Sequence, residues 1–189
     1  LLLLLLFLLL LLLLLLLHPL PLSEMAPFNR LLLVIKQTAF DAYTARELAL
    51  TAAGSSFAFD AFRMARLKER HDTHNRQVER IAALLQQRGV HTTSVMRDDV
   101  TRAHVDAADL VLALGGDGTT LIASHLITDH TPLLGINTDR ASLIDLATLY
   151  RSKQPFDQRR STGHLCACTS ADVETVLDRV LGGIMAPTK

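Results

Sequence analysis

The chain has 189 residues, 49% of them hydrophobic, enough for one solid core and the beginning of a second unit. Its 19 basic and 19 acidic residues cancel, so no global charge draws it to nucleic acid or to an acidic membrane surface. A phosphate-bearing partner would have to be recognised at a local site. The two cysteines, Cys166 and Cys168, stand one residue apart; on one face of a strand their disulfide would be strained, and a reducing compartment is the simpler reading.

The first seventeen residues are leucine except for Phe7, and HPLPLSE follows. A secretory signal would bring a basic start and a small-residue cleavage site, and neither is present. The expectation is that translation begins at Met25 and that residues 1–24 are an upstream leucine repeat read as protein. The alternative is a membrane anchor, because the run approaches the roughly 18 to 20 apolar residues that a spanning helix needs.

Leu31, Leu32, Leu33, Val34 and Ile35 form a continuous apolar run ending at Lys36, which suits a strand buried on both faces. Residues 38–56 are ambiguous, rich in Ala, Thr and Ser, with Gly54, Ser55 and Ser56 reading as a loop. Phe57, Phe59, Phe62, Met64 and Leu67 read as a core stripe. The spacing of Val78, Ile81, Ala82 and Leu85 then predicts a helix over 74–88 that stops at Gly89. His71 and His74, beside Asp72, read as the polar cap of that helix.

Residues 90–95 make a second strand, 97–106 a solvated connection with a helical turn, and 110–114 a strong third strand. A helix over 119–127 follows, then a strand over 132–136 ending in the turn Gly135, Ile136 and Asn137. Residues 138–158 are polar and loop-like, 164–169 alternate like a strand, and Val173, Val176, Leu177, Val180 and Leu181 mark an amphipathic helix closed by Gly182 and Gly183. Alternating strands and helices predict an α/β fold, a Rossmann-like parallel sheet with helices on both faces. Residues 25–150 would form a nucleotide-binding domain, and 151–189 the truncated start of a second. Ligands of such sheets bind beyond the carboxyl ends of the strands, where Gly115 and Gly135 fall.

Residues 112–124 read LALGGDGTTLIAS. Gly115, Gly116 and Gly118 allow a tight turn and a close backbone approach, and N–H groups opening the next helix can face phosphate oxygens. A carboxylate among them would repel phosphate unless it accepts a proton from an attacking hydroxyl or acts through a metal ion. Asp117 has that functional reading and a plainer one, as a cap of the following helix.

The GGDGT run at 115–119 resembles the signature shared by NAD kinases, lipid kinases of the diacylglycerol and sphingosine type and, more loosely, phosphofructokinases. Lipid kinases typically continue with a glutamate and an Asn-Gly pair, whereas this chain continues TTLIASHLITD. GINTD at 135–139 resembles the Gly-x-Asn turn of NAD kinases, and RRSTGHLCA at 159–167 resembles the plant-type NADH kinase branch. The resemblance is good from Arg97 to about Gly182, an outline from Leu31 to Gly89, and absent before Met25.

That resemblance implies ATP-dependent phosphorylation of the adenosine ribose 2′-hydroxyl of NADH or NAD, with Mg²⁺ or another divalent cation on the phosphates. Asp117 takes the place of the family's catalytic aspartate. Gly115, Gly116, Gly118 and Thr119 would shape the phosphate turn, and Asn137 is either a site contact or an Asn bonding its own loop. Ile122 stands where family members often carry a basic residue or histidine. The family's second, β-rich domain supplies an Asn-Glu or Asn-Asp motif, and neither pair occurs in this sequence. A catalytically incomplete nucleotide-binding fragment and, more weakly, a lipid kinase are therefore carried as alternatives. The expected partners are small nucleotides, with no nucleic acid, no membrane unless the leader is real, and homo-oligomers possible. The expected location is cytoplasmic, with peroxisomal or organellar sites possible.

His164, Cys166 and Cys168 form an H-x-C-x-C pattern that a strand would align, but without an evident fourth ligand. Small buried thiols are the preferred reading. Arg159 and Arg160 either meet a phosphate or form a solvated surface, and His125 decorates the helix after the turn.

Overall fold

A computed structural model describes residues 28–55, 61–127, 130–138, 161 and 163–182. The leucine-rich segment, Phe57 and Phe59, Arg159 and Arg160 lie outside the described residues. The elements in chain order are β1 (Arg30–Ile35), α1 (Ala39–Ala52), α2 (Ala61–Gln87), β2 (His91–Met96), α3 (Arg102–Asp106), β3 (Leu110–Gly115), α4 (Asp117–Ser124), β4 (Leu133–Asn137), β5 (Cys168–Thr169) and α5 (Val173–Leu181). The strands form one sheet in the order β2-β1-β3-β4-β5, and every neighbouring pair is parallel. The predicted α/β architecture is therefore the one observed.

Strand alternation divides the apolar residues between two faces. On one face Leu31, Leu33, Leu110, Leu112, Leu114, Leu134 and Ile136 meet Ile81, Leu84 and Leu85 of α2 and Val173, Leu177, Val180 and Leu181 of α5. On the other, Leu32, Val34, Val111 and Ala113 meet Val105 of α3 and Ala123 of α4. Each fully buried Leu, Ile or Val contributes roughly 1.5–3 kcal/mol, so these layers hold the sheet's carboxyl edge in place.

Several expectations are corrected. The ambiguous region after residue 38 is helical. Thr38 and Asp41 close a capping box there, Thr38 N–H donating to Asp41 Oδ2 at 3.0 Å and Asp41 N–H to Thr38 Oγ1 at 3.3 Å. Helix α2 begins at Ala61, not near 74. His71 and His74 therefore lie inside the helix and do not cap it. Gly135 is within β4, paired with Ala113, so the chain turns only after Asn137. Residues 164–169 are mostly a turn, with a strand limited to Cys168–Thr169, and the H-x-C-x-C residues do not share one strand face.

β5 and α5 fall in the segment assigned from sequence to a second domain, yet they extend the same sheet and core. Arg88 ties α2 to α5 through Nε to Asp178 Oδ1 at 2.8 Å, and Arg80 donates to the Ser170 carbonyl at 2.9 Å. The described part of that segment belongs to the α/β unit.

Candidate active site

β1 and β3 are neighbours, but the chain leaves β1 toward β2 on one side and returns to β3 on the other. Such a switch opens a crevice at the carboxyl ends of the strands. There Lys36 N–H donates to the Leu114 carbonyl at 2.9 Å and Thr138 N–H to the Gly115 carbonyl at 2.8 Å. Apart from Thr131, the buried polar residues of the described chain gather at this edge: Thr38, His74, Thr119, Thr120, Asn137 and Thr138. Polar groups concentrated at one end of an apolar core are the usual mark of a binding site.

The glycines of 115–118 differ in what surrounds them. A Cβ on Gly115 would lie 2.8 Å from Thr119 Cβ and 2.9 Å from Lys36 Cβ, and one on Gly116 would lie 2.5 Å from Ser161 Oγ. The space left by these two glycines is filled by the protein itself. Gly118 is exposed, and no described atom comes within 4 Å of where its Cβ would be. Thr119 is buried against β3, and its N–H and that of Thr120 donate to the Gly116 carbonyl at 3.0 and 3.1 Å.

Asp117 is the first residue of α4, where the helix N-terminus favours negative charge. It is not a cap: Gly116 occupies the cap position, and no side chain bonds there. The carboxylate instead accepts from donors 44 to 48 residues further along the chain. Ser161 Oγ donates to Oδ2 at 2.9 Å, Gly163 N–H to Oδ2 at 3.1 Å and Leu165 N–H to Oδ1 at 2.8 Å. Asp117 N–H donates back to Ser161 Oγ at 2.8 Å. Desolvation opposes the charged form, but the bonds from Leu165, Ser161, Gly163 and His164 outweigh it and hold the carboxyl below the ordinary aspartate range.

Asn137, at the end of β4, is 1% exposed and donates from Nδ2 to the Ser161 carbonyl at 3.1 Å. Gly163 adopts φ +76°, a conformation glycine takes without strain, and a Cβ there would lie 2.7 Å from Asn137 Nδ2. Asp117 and Asn137 are thus joined through Ser161, with Gly163 and Leu165 completing the bonds to the carboxylate, residues that sequence reasoning did not assign to the site. Their only sequence signal was Ser161 and Gly163 within RRSTGHLCA.

His74 lies across the same edge, with Nδ1 2.8 Å from Thr138 Oγ1. His71 pairs with Thr38 Oγ1 at 2.9 Å and Asp41 Oδ1 at 3.2 Å. Ile122 and His125 are on the exposed side of α4, Ile122 as its last-turn residue and His125 as its C-cap. Cys166 lies with Sγ 3.6 Å from Thr120 Oγ1. Burial raises its thiol pKa and pushes Cys168 up to about 11, so both favour the neutral thiol. Among the described residues no three His, Cys, Asp or Glu side chains gather to hold a metal ion, and no helix is long and apolar enough to cross a membrane.

Residues 31–154 match the family profile described as the ATP-NAD kinase N-terminal domain. The chain is 36% identical over 167 residues to "Probable NADH kinase" of Oryza sativa subsp. japonica, covering 85% of this chain and 50% of that protein. It is 37% identical over 123 residues to "NADH kinase" of Arabidopsis thaliana, covering 65% and 38% of the two chains. It is 36% identical over 101 residues to "NAD kinase 2, mitochondrial" of Homo sapiens, covering 53% and 19%. The chain thus spans about half the length, or less, of these curated relatives. None of these similarities supports the lipid-kinase alternative.

Proposed function

Because the chain belongs to the NAD kinase family, we propose that it carries the α/β part of an enzyme that phosphorylates the adenosine ribose 2′-hydroxyl of NADH or NAD at the expense of ATP. The observation that carries this reading is the ionised carboxylate of Asp117 at the crevice edge, one residue from the exposed Gly118. In the reaction the 2′-oxygen bonds to the γ-phosphorus, the bond from that phosphorus to the bridging oxygen breaks, ADP leaves, and the hydroxyl proton passes to Asp117. A carboxyl held below its ordinary range is a weak base. It suffices here because phosphoryl transfer passes through a loose transition state, so the attacking hydroxyl gives up its proton late, once it has become acidic.

Gly118 is the position we assign to the closest phosphate approach, with Gly115, Gly116 and Thr119 shaping the turn beneath it. Asn137 acts on the site by holding the Ser161 main chain. A divalent cation such as Mg²⁺ would offset phosphate charge. The proposed partners are small nucleotides, with homo-oligomers possible. The proposed location is the cytoplasm or an organelle, the latter in line with relatives named as mitochondrial.

The second reading is a nucleotide-binding unit that needs further chain for catalysis, favoured by its covering half of the rice relative. A coupled assay of NADPH formation from NADH, ATP and Mg²⁺ separates the two, run on the chain and on Asp117→Asn alongside ATP-binding calorimetry. Turnover abolished by the substitution supports the kinase reading for this chain. ATP binding without turnover in either protein supports the second, and neither binding nor turnover would refute both.

A further inference from the structure

The geometry points to Ser161 as the residue that positions Asp117. It occupies the volume opened by Gly116, where a Cβ would lie 2.5 Å from its Oγ. From there the hydroxyl uses its full bonding capacity, one donation and two acceptances. It donates to Asp117 Oδ2 at 2.9 Å and accepts from Asp117 N–H at 2.8 Å and Gly163 N–H at 3.2 Å. One oxygen therefore bridges the backbone and the carboxylate of the same aspartate, which fixes the side chain against its own main chain. The Ser161 carbonyl is in turn held by Asn137 Nδ2 at 3.1 Å, so the bridge is anchored to the end of β4.

A serine that merely filled space beside Gly116 would need only its Cβ. The bridge explains why a hydroxyl belongs there and why Gly116 carries no side chain. The assignment rests on the proposed function only in giving Asp117 chemistry to perform. The contact itself orients the carboxylate and stabilises its charged form, as hydrogen bonds to a carboxylate do.

The test titrates the Asp117 carboxyl carbon by NMR in the full chain, for the wild type, Ser161→Ala and Ser161→Thr, without substrate. The expected result is a wild-type midpoint below that of ordinary aspartate, an upward move in Ser161→Ala, and a midpoint kept low in Ser161→Thr, which retains the hydroxyl. A wild-type midpoint in the ordinary range overturns the proposal even if a variant fails to fold. So does Ser161→Ala with an unchanged midpoint, or an equal shift in both variants. Where the chain turns over, Ser161→Ala should lower kcat on the order of tenfold to a hundredfold, leave the KM for ATP nearly unchanged, and move the acidic limb of the rate profile with the NMR midpoint. Intact titration behaviour in a chain that never forms NADPH would support the positioning contact and count against the kinase reading alone.

Discussion

Replacing Asp117 by Asn removes a charge while keeping nearly the same shape, and the structure predicts a structural cost as well as a catalytic one. Donors converge on both carboxylate oxygens: Leu165 N–H on Oδ1, and Ser161 Oγ and Gly163 N–H on Oδ2. An amide offers one oxygen, so in either orientation its NH₂ faces a donor. Hydrogen bonds to charged groups are worth about 1.5–3 kcal/mol. With partial exposure letting water replace some of this, the expected loss is about 1–3 kcal/mol, or very roughly 2–10 °C in Tm for a domain of this size.

The pH dependence has a definite sign. The carboxyl's folded pKa is depressed, so its stabilisation is present above the unfolded aspartate value of about 3.9 and is lost as pH falls through the folded value. The gap between wild type and Asp117→Asn in urea unfolding should therefore be full at pH 7 and narrow on acidification below that point. Hydrogen exchange at the Leu165 and Gly163 amides should quicken by roughly tenfold or more in the variant, since 1.4 kcal/mol corresponds to tenfold. Equal stabilities at pH 7, or a gap that widens toward low pH, would refute the reasoning.

Gly118 and Gly135 should behave oppositely. Gly118→Ala enters open space within a helix and should leave stability unchanged or raise it by up to about 1 kcal/mol, while ATP binding measured by calorimetry weakens. Gly135→Ala would bring a Cβ to 2.7 Å from Thr120 Oγ1 and 2.9 Å from the Leu165 carbonyl, costing about 1–3 kcal/mol in urea unfolding. Thr138→Val removes the hydroxyl that meets buried His74 at 2.8 Å and should cost about 1–3 kcal/mol, with a smaller cost in a His74→Phe background that exposes the coupling. Cys168, its thiol pushed up to about 11, should react with iodoacetamide at pH 8 on the order of a hundredfold more slowly than an ordinary cysteine. Because a raised pKa favours the protonated folded form, its contribution to stability should hold below the unfolded value and fade as pH rises toward 11.

β1 and β3 were legible because strands covered on both faces carry unbroken apolar runs. α1 was not, since none of its residues is buried and it has no apolar stripe to read. Its local signal was the Thr38–Asp41 capping box. The start of α2 was missed for a different reason. Leu67, His74 and Ile81 are all buried at seven-residue intervals along it, so a histidine sits in the middle of the core stripe and reads as the point where the stripe begins. His74 is tolerated there because its Nδ1 meets Thr138 Oγ1, a partner 64 residues away that periodicity cannot reveal.

The site divides along the same line between local and distant information. Asp117 was legible because three glycines at the end of a buried strand are a local pattern. The reason for Gly116 was not, because its neighbour is Ser161, and the carboxylate's partners lie 44 to 48 residues further along the chain. This arrangement has a consequence for assembly of the site. Ser161 is held by Asn137 at the end of β4, and Leu165 lies three residues before β5, which pairs with β4, so the residues that fix the carboxylate are anchored to the last two strands of the sheet. Asp117 reaches its bonded geometry only when β4, β5 and the residues bonded to its carboxylate, Ser161, Gly163 and Leu165, have docked, which makes an ordered carboxylate a property of the completed sheet and not of the glycine turn alone.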